Sequence, residues 1–503
     1  MISEFDEGPF APCPQPFNLA AHVLAAGEAT PDKIALSVVK PTGAARWSYG
    51  RLTAAVRGTA TGLLQAGLEP GDSVLLRLGN TVDFPIAYLG AIAAGMVPVP
   101  TSSQLTAREV APMIAHLGPK AILRGDDIAC PETDLPVFGS ADFESWHDLP
   151  PAEYDMGDPG RLAYIIYTSG TSGTPRAVGH AHRAIWARQM MMQGWYGLRP
   201  SDRLLHAGAF NWTYTLGTGL MDPWTMGATA LIPAAGTDPA QIPLLLKRND
   251  ATIFAAAPGV YRQLLKYPVP PMPKLRHGLA AGEKLAAPIR EAWREATSTE
   301  IYEAFGMSEC STFVSSSPDH PVTPGTLGRP QTGRRVAILG EDHLPVERGT
   351  PGMIAVHRSD PGLMLGYIGA PEETAARFAG DWFLTGDQGA MDDTGEITYL
   401  GRGDDMMNAG GYRVSPLEVE AALADLPGIV EIGVTDIAIK EGVSIIAAFY
   451  VAESELDEDA LKAAAADRLA RYKQPRAFVR VDALPRNPNG KVTRKALKDQ
   501  AIS

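Results

Sequence analysis

Short apolar runs and longer stretches of helically spaced apolar residues take turns through the first 400 positions. Leu162 to Ile166, Ala251 to Ala256 and Ser73-Val74-Leu75-Leu76-Arg77-Leu78 each read as a strand. Asp83 to Ala94 reads as a buried helix, and Ala240 to Lys247 and Val260 to Lys266 as further helices. The alternation predicts an α/β architecture of layered, largely parallel sheets and helices.

The pattern changes after the strand-like Ile397-Thr398-Tyr399-Leu400. Gly401-Arg402-Gly403-Asp404-Asp405 is polar and glycine-rich, and it reads as a boundary between residues 1–400 and 401–503. The remainder, about a hundred residues, is a normal size for a small domain. Its first helix has a clear start: Ser415 as N-cap, Pro416 in the first turn and Glu418 as the acid of a capping box. Glu455 to Tyr472 is Ala-rich with charges at helical spacing, a surface helix.

Composition adds little beyond exclusions. The 503 residues are 45% hydrophobic and 20% charged, with a net charge of −13. That acidity disfavours a nucleic-acid partner, whose phosphates need basic faces. No apolar run reaches the ~20 residues of a membrane helix. The acidic start Met1-Ile2-Ser3-Glu4 lacks a basic n-region, and a cytoplasmic location is the expectation. Cys13, Cys130 and Cys310 are too scattered for a disulfide framework or metal spacing.

Candidate chemistry begins at Thr168-Ser169-Gly170-Thr171-Ser172-Gly173-Thr174-Pro175-Arg176. Glycines let the backbone turn and aim N–H groups at an anion; hydroxyls and Arg176 add donors and charge. No Gly-Lys-Ser/Thr closes the segment, so it is not a Walker loop. In Phe305-Gly306-Met307-Ser308-Glu309 a ring can stack on a base, and a hydroxyl beside a carboxylate can meet a phosphate and its magnesium. Asp387, after Thr385-Gly386, can accept both hydroxyl hydrogens of a diol. Lys491 sits on a glycine turn within Pro485 to Lys495. His180 and His182 lack further ligands and read as surface or packing residues, and Met190 to Met192 as core filler.

The order of these segments resembles the adenylate-forming superfamily, which includes the AMP-forming acyl-CoA synthetases. Arg176 and Ala177 stand where that family more often has Lys and Gly. The resemblance implies a large N-terminal domain and a small mobile α+β C-terminal domain. It also implies ATP, Mg²⁺ and coenzyme A as reaction partners. By it, residues Thr168 to Thr174 and Arg176 hold the β- and γ-phosphates, Phe305 stacks on adenine, Ser308 touches the α-phosphate and Glu309 ligates Mg²⁺. Asp387 takes the ribose, Arg402 and Arg413 face ribose and phosphates, and Asp404 is the hinge. Gly410 and Gly411 let backbone approach the pantetheine arm, and Lys491 reaches the substrate carboxylate and the α-phosphate.

The family's acyl pocket implies Phe210, Trp212, Tyr214, Gly217, Ala281, Gly282, Gly306 and Met307 as its lining here. The plain alternative is that the rings among them pack the core. No carboxylate in Phe210-Asn211-Trp212 can hold an α-ammonium, which argues against an amino acid. The expected reaction is ATP-dependent ligation of a small aromatic or short-chain carboxylic acid to CoA. Loading of a carrier-protein pantetheine is the runner-up, a non-catalytic nucleotide-binding relative is a third reading, and a homodimer is left open.

Overall fold

The computed structural model describes residues 1–168, 176–321, 323–403, 405–409, 412–440, 443–469, 471–486 and 492–500. By contacts the chain divides into two compact units. The larger is Phe5–Arg335 with His357–Phe383; the smaller is Met1–Glu4, Val336–Val356 and Leu384–Ser503.

In the larger unit a nine-stranded sheet runs in the order Arg329–Pro330, Ser311–Ser315, Ile301–Met307, His277–Ala281, Ile253–Ala256, Arg203–His206, Thr229–Pro233, Ile34–Lys40, Gly43–Ser48. Its interior pairs are parallel, as the strand–helix alternation predicts, and its edges close with antiparallel hairpins. A four-stranded all-parallel sheet orders Val97–Pro100, Ser73–Arg77, Ala121–Arg124, Val137–Phe138. A three-stranded antiparallel sheet orders Gly366–Tyr367, Arg176–Ala181, Leu162–Thr168. The helix Asp83–Ala93 is buried from Phe84 to Ala93, so it packs on every side. Met190, Met191 and Met192 are core residues as expected.

Two helices start later than the apolar pattern implies. Asp238 caps a short 3₁₀ turn, Pro239–Gln241, before the α-helix Ile242–Arg248 begins. In the smaller unit Asp457 accepts from Asp459 N, which starts that helix at Glu458 and not Glu455.

The smaller unit is built on antiparallel pairs. Arg335–Leu339, Gly352–His357, Trp382–Met391 and Ile397–Arg402 pair in that order. Glu431–Lys440 pairs with Val443–Val451, and Ala477–Arg480 joins in parallel. Ser415 Oγ accepts from Glu418 N at 3.3 Å and caps the helix Pro416–Leu423 as expected. The Glu418 carboxylate pairs with Lys473.

Candidate active site

The strand Leu162–Thr168 pairs antiparallel with Arg176–Ala181, with Thr168 opposite Arg176. Ser169, Gly170, Thr171, Ser172, Gly173 and Thr174, together with the side chain of Thr168, lie outside the described residues. Arg176 anchors one end of that connection. Its Nε is 2.8 Å from Glu373 Oε2, and its guanidinium lies 5.0 Å over the Tyr367 ring. The Tyr367 hydroxyl donates to Glu309 Oε1 at 2.7 Å. Burial, and then the Glu309 carboxylate, push the Tyr367 hydroxyl up to about 12, so it stays a donor. Tyr367 therefore joins the cation of one expected segment to the carboxylate of another. Nothing in its local sequence marks it.

Glu309 sits in the turn between antiparallel strands Ile301–Met307 and Ser311–Ser315, with a bulge between Phe305 and Gly306. A Cβ on Gly306 would collide with Ser311 O, so the two backbones approach as only glycine allows. Ser311 carries φ of 63°, a left-handed strain at the turn exit. Met364 N holds the Glu309 carbonyl at 2.7 Å. His180 Nε2 donates to Ser308 O at 2.8 Å, so this histidine is a buried partner of the turn and not a surface residue. Phe305 meets Phe313 edge-on at 5.4 Å. His182 is buried too, its Nδ1 accepting from Leu19 N at 3.0 Å.

Ser308 and Ser311 also form one wall of a pocket. Tyr88, Tyr164, His180, Ala184, Arg188, Thr213, Leu216, Met221 and Gly362 complete it. The cavity they enclose is small, about 20 Å³, room for about one water. Arg188 is nearly sealed: Nε donates to Asp222 Oδ1 at 2.8 Å and Nη2 to Oδ2 at 2.6 Å. Two wide, π-helical turns supply the flanking hydroxyls. Tyr196, from Met192–Tyr196, donates to Asp222 Oδ2 at 2.8 Å; Thr218, from Gly217–Met221, accepts from Arg188 at 3.3 Å.

The expected acyl-pocket residues fall into two groups. Phe210 and Tyr214 are core: Phe210 packs on Phe84 at 5.5 Å, and Tyr214 donates to Leu279 O at 3.1 Å. Ala281 pairs in register with Ala304. Gly217 backs the Arg188 guanidinium, where a Cβ would collide with Nη2. Trp212 presses on Gly282, whose φ of 95° and missing Cβ leave room for the indole. Thr213 and Leu216, their sequence neighbours, line the pocket. Met307 ends the Ile301–Met307 strand, opposite Ser311.

In the smaller unit Asp387 is held on three sides. Thr385 Oγ1 donates to Ile354 O at 2.6 Å and accepts from Asp387 N at 3.1 Å. Tyr399 donates to Asp387 Oδ1 at 2.8 Å, and Arg402 Nη1 reaches Oδ2 at 3.2 Å. Burial, with the Asp387 carboxylate beside it, pushes the Tyr399 hydroxyl well above its usual range, which keeps it a donor. Gly386, at φ of 81°, lies within the strand Trp382–Met391 just before this carboxylate, a backbone conformation that favours glycine. Arg494 pairs with Glu420 at 2.7 Å. Asp404, Gly410, Gly411, Lys491 and the side chain of Arg413 lie outside the described residues.

Comparison with known proteins agrees with this arrangement. The model of the AMP-binding enzyme family matches residues 23–368, and that of the AMP-binding enzyme C-terminal domain matches 418–491. The benzoate–CoA ligase of Thauera aromatica is 30% identical, over 90% of this chain and 91% of its own. The mitochondrial acyl-coenzyme A synthetase ACSM3 of Rattus norvegicus is 28% identical, over 90% of this chain and 84% of its own. Among solved structures, a benzoate CoA ligase from Burkholderia xenovorans LB400 superposes with a TM-score of 0.86 at 29% identity, covering 96% of this chain and 100% of that one. ATP-bound MatB from Rhodopseudomonas palustris gives 0.87 at 26% identity, covering 96% and 99%. Carrying the order of segments, the layered α/β larger unit and the family match over more than half its length, this chain belongs to the AMP-binding enzyme family and is an AMP-forming ligase with an ATP-binding, adenylate-forming fold.

Proposed function

We propose that this chain joins a small aromatic or short-chain carboxylic acid to coenzyme A through an acyl-adenylate. The observation that carries the reading is the turn Ser308–Glu309. Ser308 is on the wall of the pocket, while Glu309 next to it is tied through Tyr367 to Arg176 at the end of the glycine-rich connection. An acid bound beside Ser308 would thus lie next to groups suited to phosphates. Family relatives named for benzoate support the aromatic end of the range.

In this reading the acid's carboxylate attacks the α-phosphorus of ATP, pyrophosphate leaves, and the thiol of CoA then displaces AMP. Positioning and charge compensation supply most of such a displacement. Thr168 to Thr174 and Arg176 take the β- and γ-phosphates, Ser308 the α-phosphate, Phe305 the adenine and Asp387 the ribose. Arg402 and Arg413 add positive charge. Lys491 bridges the two reacting groups, and the small domain, residues 401–503, turns about Asp404 to bring Gly410 and Gly411 to the pantetheine arm.

No group of three or more His, Cys, Asp or Glu able to hold a metal occurs among the described residues. Mg²⁺ is commonly bound by one or two carboxylates plus substrate phosphates, so a single well-oriented Glu309 fits it. Bound there, the ion would offset charge on the phosphates. A cytoplasmic location belongs to the same reading; among the described residues no helix is long and apolar enough to cross a membrane.

The test is pyrophosphate release with ATP and Mg²⁺ over a panel of benzoates and of linear and branched acids, with and without CoA. Turnover that requires CoA on one group of acids is the expected result. Release that CoA does not increase would favour a carrier-protein acceptor, and silence across the panel would overturn the ligase reading. Lys491→Ala is expected to lose adenylation while ATP binding, followed by calorimetry, survives.

A further inference from the structure

Arg176, the cation at the end of the glycine-rich connection, already has an anion. Its Nε lies 2.8 Å from Glu373 Oε2, with 28% of the arginine side chain and 52% of the glutamate side chain exposed. Glu373 sits on the short helix Pro371–Ala375, which is tied back to the strand Gly366–Tyr367. Thr374 Oγ1 accepts from Tyr367 N at 2.9 Å and donates to Ala370 O at 3.0 Å. That strand in turn pairs with Arg176–Ala181, Tyr367 opposite Val178. The carboxylate and the guanidinium are therefore carried on two segments of fixed register.

The surroundings of the pair decide what it can do. The Tyr367 ring takes one face of the guanidinium, at 5.0 Å, and its hydroxyl donates to Glu309 at 2.7 Å. A guanidinium has a flat face for a ring and a separate edge of N–H donors for anions, which a lysine ammonium lacks. The ring contact can stay while the anion at the edge changes. A partly exposed ion pair is worth little, so a second anion replaces Glu373 at small cost. A phosphate oxygen is such an anion, and it takes the same charge-assisted hydrogen bonds.

We propose that Glu373 is a built-in competitor of the phosphates: it pairs with Arg176 between turnovers, yields it to the β- and γ-phosphates of ATP, and takes it back as pyrophosphate leaves. The proposal rests on the assignment of Arg176 to those phosphates and adds to it a residue that they must displace. Glu373 subtracts the strength of its pair from the affinity for ATP. It subtracts the same amount from the affinity for pyrophosphate, which favours release of that product. AMP carries neither the β- nor the γ-phosphate, so its affinity owes nothing to Glu373.

The experiment is calorimetry of Mg²⁺-ATP, pyrophosphate and AMP with the native chain and with Glu373→Gln, which removes the charge and keeps the shape. Glu373→Gln is expected to bind ATP and pyrophosphate about two- to fivefold more tightly, with AMP unchanged. Damage to the fold does not produce a gain of affinity. In an Arg176→Gln background the same substitution should give no gain. ATP affinity that is unchanged or lower in Glu373→Gln would overturn the proposal. An equal gain for AMP, or a gain that persists without Arg176, would overturn it too, since either marks a general effect of removing a negative charge. Turnover separates this from the ligase reading. Tighter ATP binding in Glu373→Gln, with no AMP formed from any acid, would sustain the exchange and overturn the ligase reading. CoA-dependent AMP formation with unaltered ATP affinity would do the reverse. Absence of ATP binding by the native chain would overturn both.

Discussion

Among the described residues the most deeply buried ion pairs lie in the larger of the two units. In the larger, Arg188 with Asp222 and Arg334 with Asp360 are ion pairs whose side chains are between 0% and 7% exposed. In the smaller, Arg402 is 27% exposed where it meets Asp387, and Lys473–Glu418 and Lys498–Asp436 are open on both sides. A buried pair breaks only at a high cost, whereas an exposed one is worth about 1 kcal/mol or less. The larger unit therefore resembles a fixed template. The smaller holds several of its cations, Lys473 and Lys498 among them, in exposed pairs that change partners cheaply.

Acid should separate the units most strongly. Burial draws His22, His180 and His277 down to about 4 and His182 and His206 to about 3, from an ordinary 6.5, and lowers His147 as well. Below pH ~6.5 the unfolded chain takes up protons on these rings that the folded chain refuses, so stability falls as pH drops toward 4. Glu303 works the other way. Burial raises it to about 7, so the fold keeps a proton that the unfolded chain sheds above its usual carboxylate range. Asp83, also raised by burial, joins Glu303, and two carboxyls against six histidines leave a net loss, because every tenfold difference in proton affinity between folded and unfolded chain is worth about 1.4 kcal/mol. The smaller unit has only the exposed His343. Hydrogen exchange at pH 7 and pH 5 should show protection lost first in the larger unit; equal loss in both would break the contrast.

Arg188→Leu strands Asp222 and should cost about 3–5 kcal/mol in denaturant titration. Gly217→Ala pushes a methyl against the same guanidinium and should cost about 1–3 kcal/mol. Arg402→Leu is the intermediate case. It leaves the buried Asp387 with Tyr399 and Thr385, so stability should fall by less than at Arg188, while KM for ATP rises. A stability loss at Arg402 matching that at Arg188 would show that both pairs are structural.

Much of this was open to sequence reading where the signal is local. The strand before the glycine-rich connection, the largely apolar Asp83–Ala93 helix and the Ser415 cap each depend on neighbours within a few residues. The pocket does not. Tyr88, His180 and Ser308 come from three elements more than ninety residues apart in sequence, and only the sheet stacking brings them to one cavity. For Phe210 and Tyr214 the difficulty is related: an aromatic beside a site and an aromatic beneath it look alike in sequence, and both rings are buried. Tyr367 is a further case: its role depends on Glu309 and Arg176, both distant in the chain.

The wide turns Met192–Tyr196 and Gly217–Met221 carry a consequence for how the chain tolerates changes in length. Each holds one residue more than a regular helical turn would. Deleting a single residue there should return the turn to the regular α pattern and change which side chains it presents, with no break in the helix. Tyr196 or Thr218 would swing off the Arg188–Asp222 pair while the helix itself survived. At these two places, then, a one-residue deletion is a way to rewire the floor of the pocket, not a way to destroy the fold.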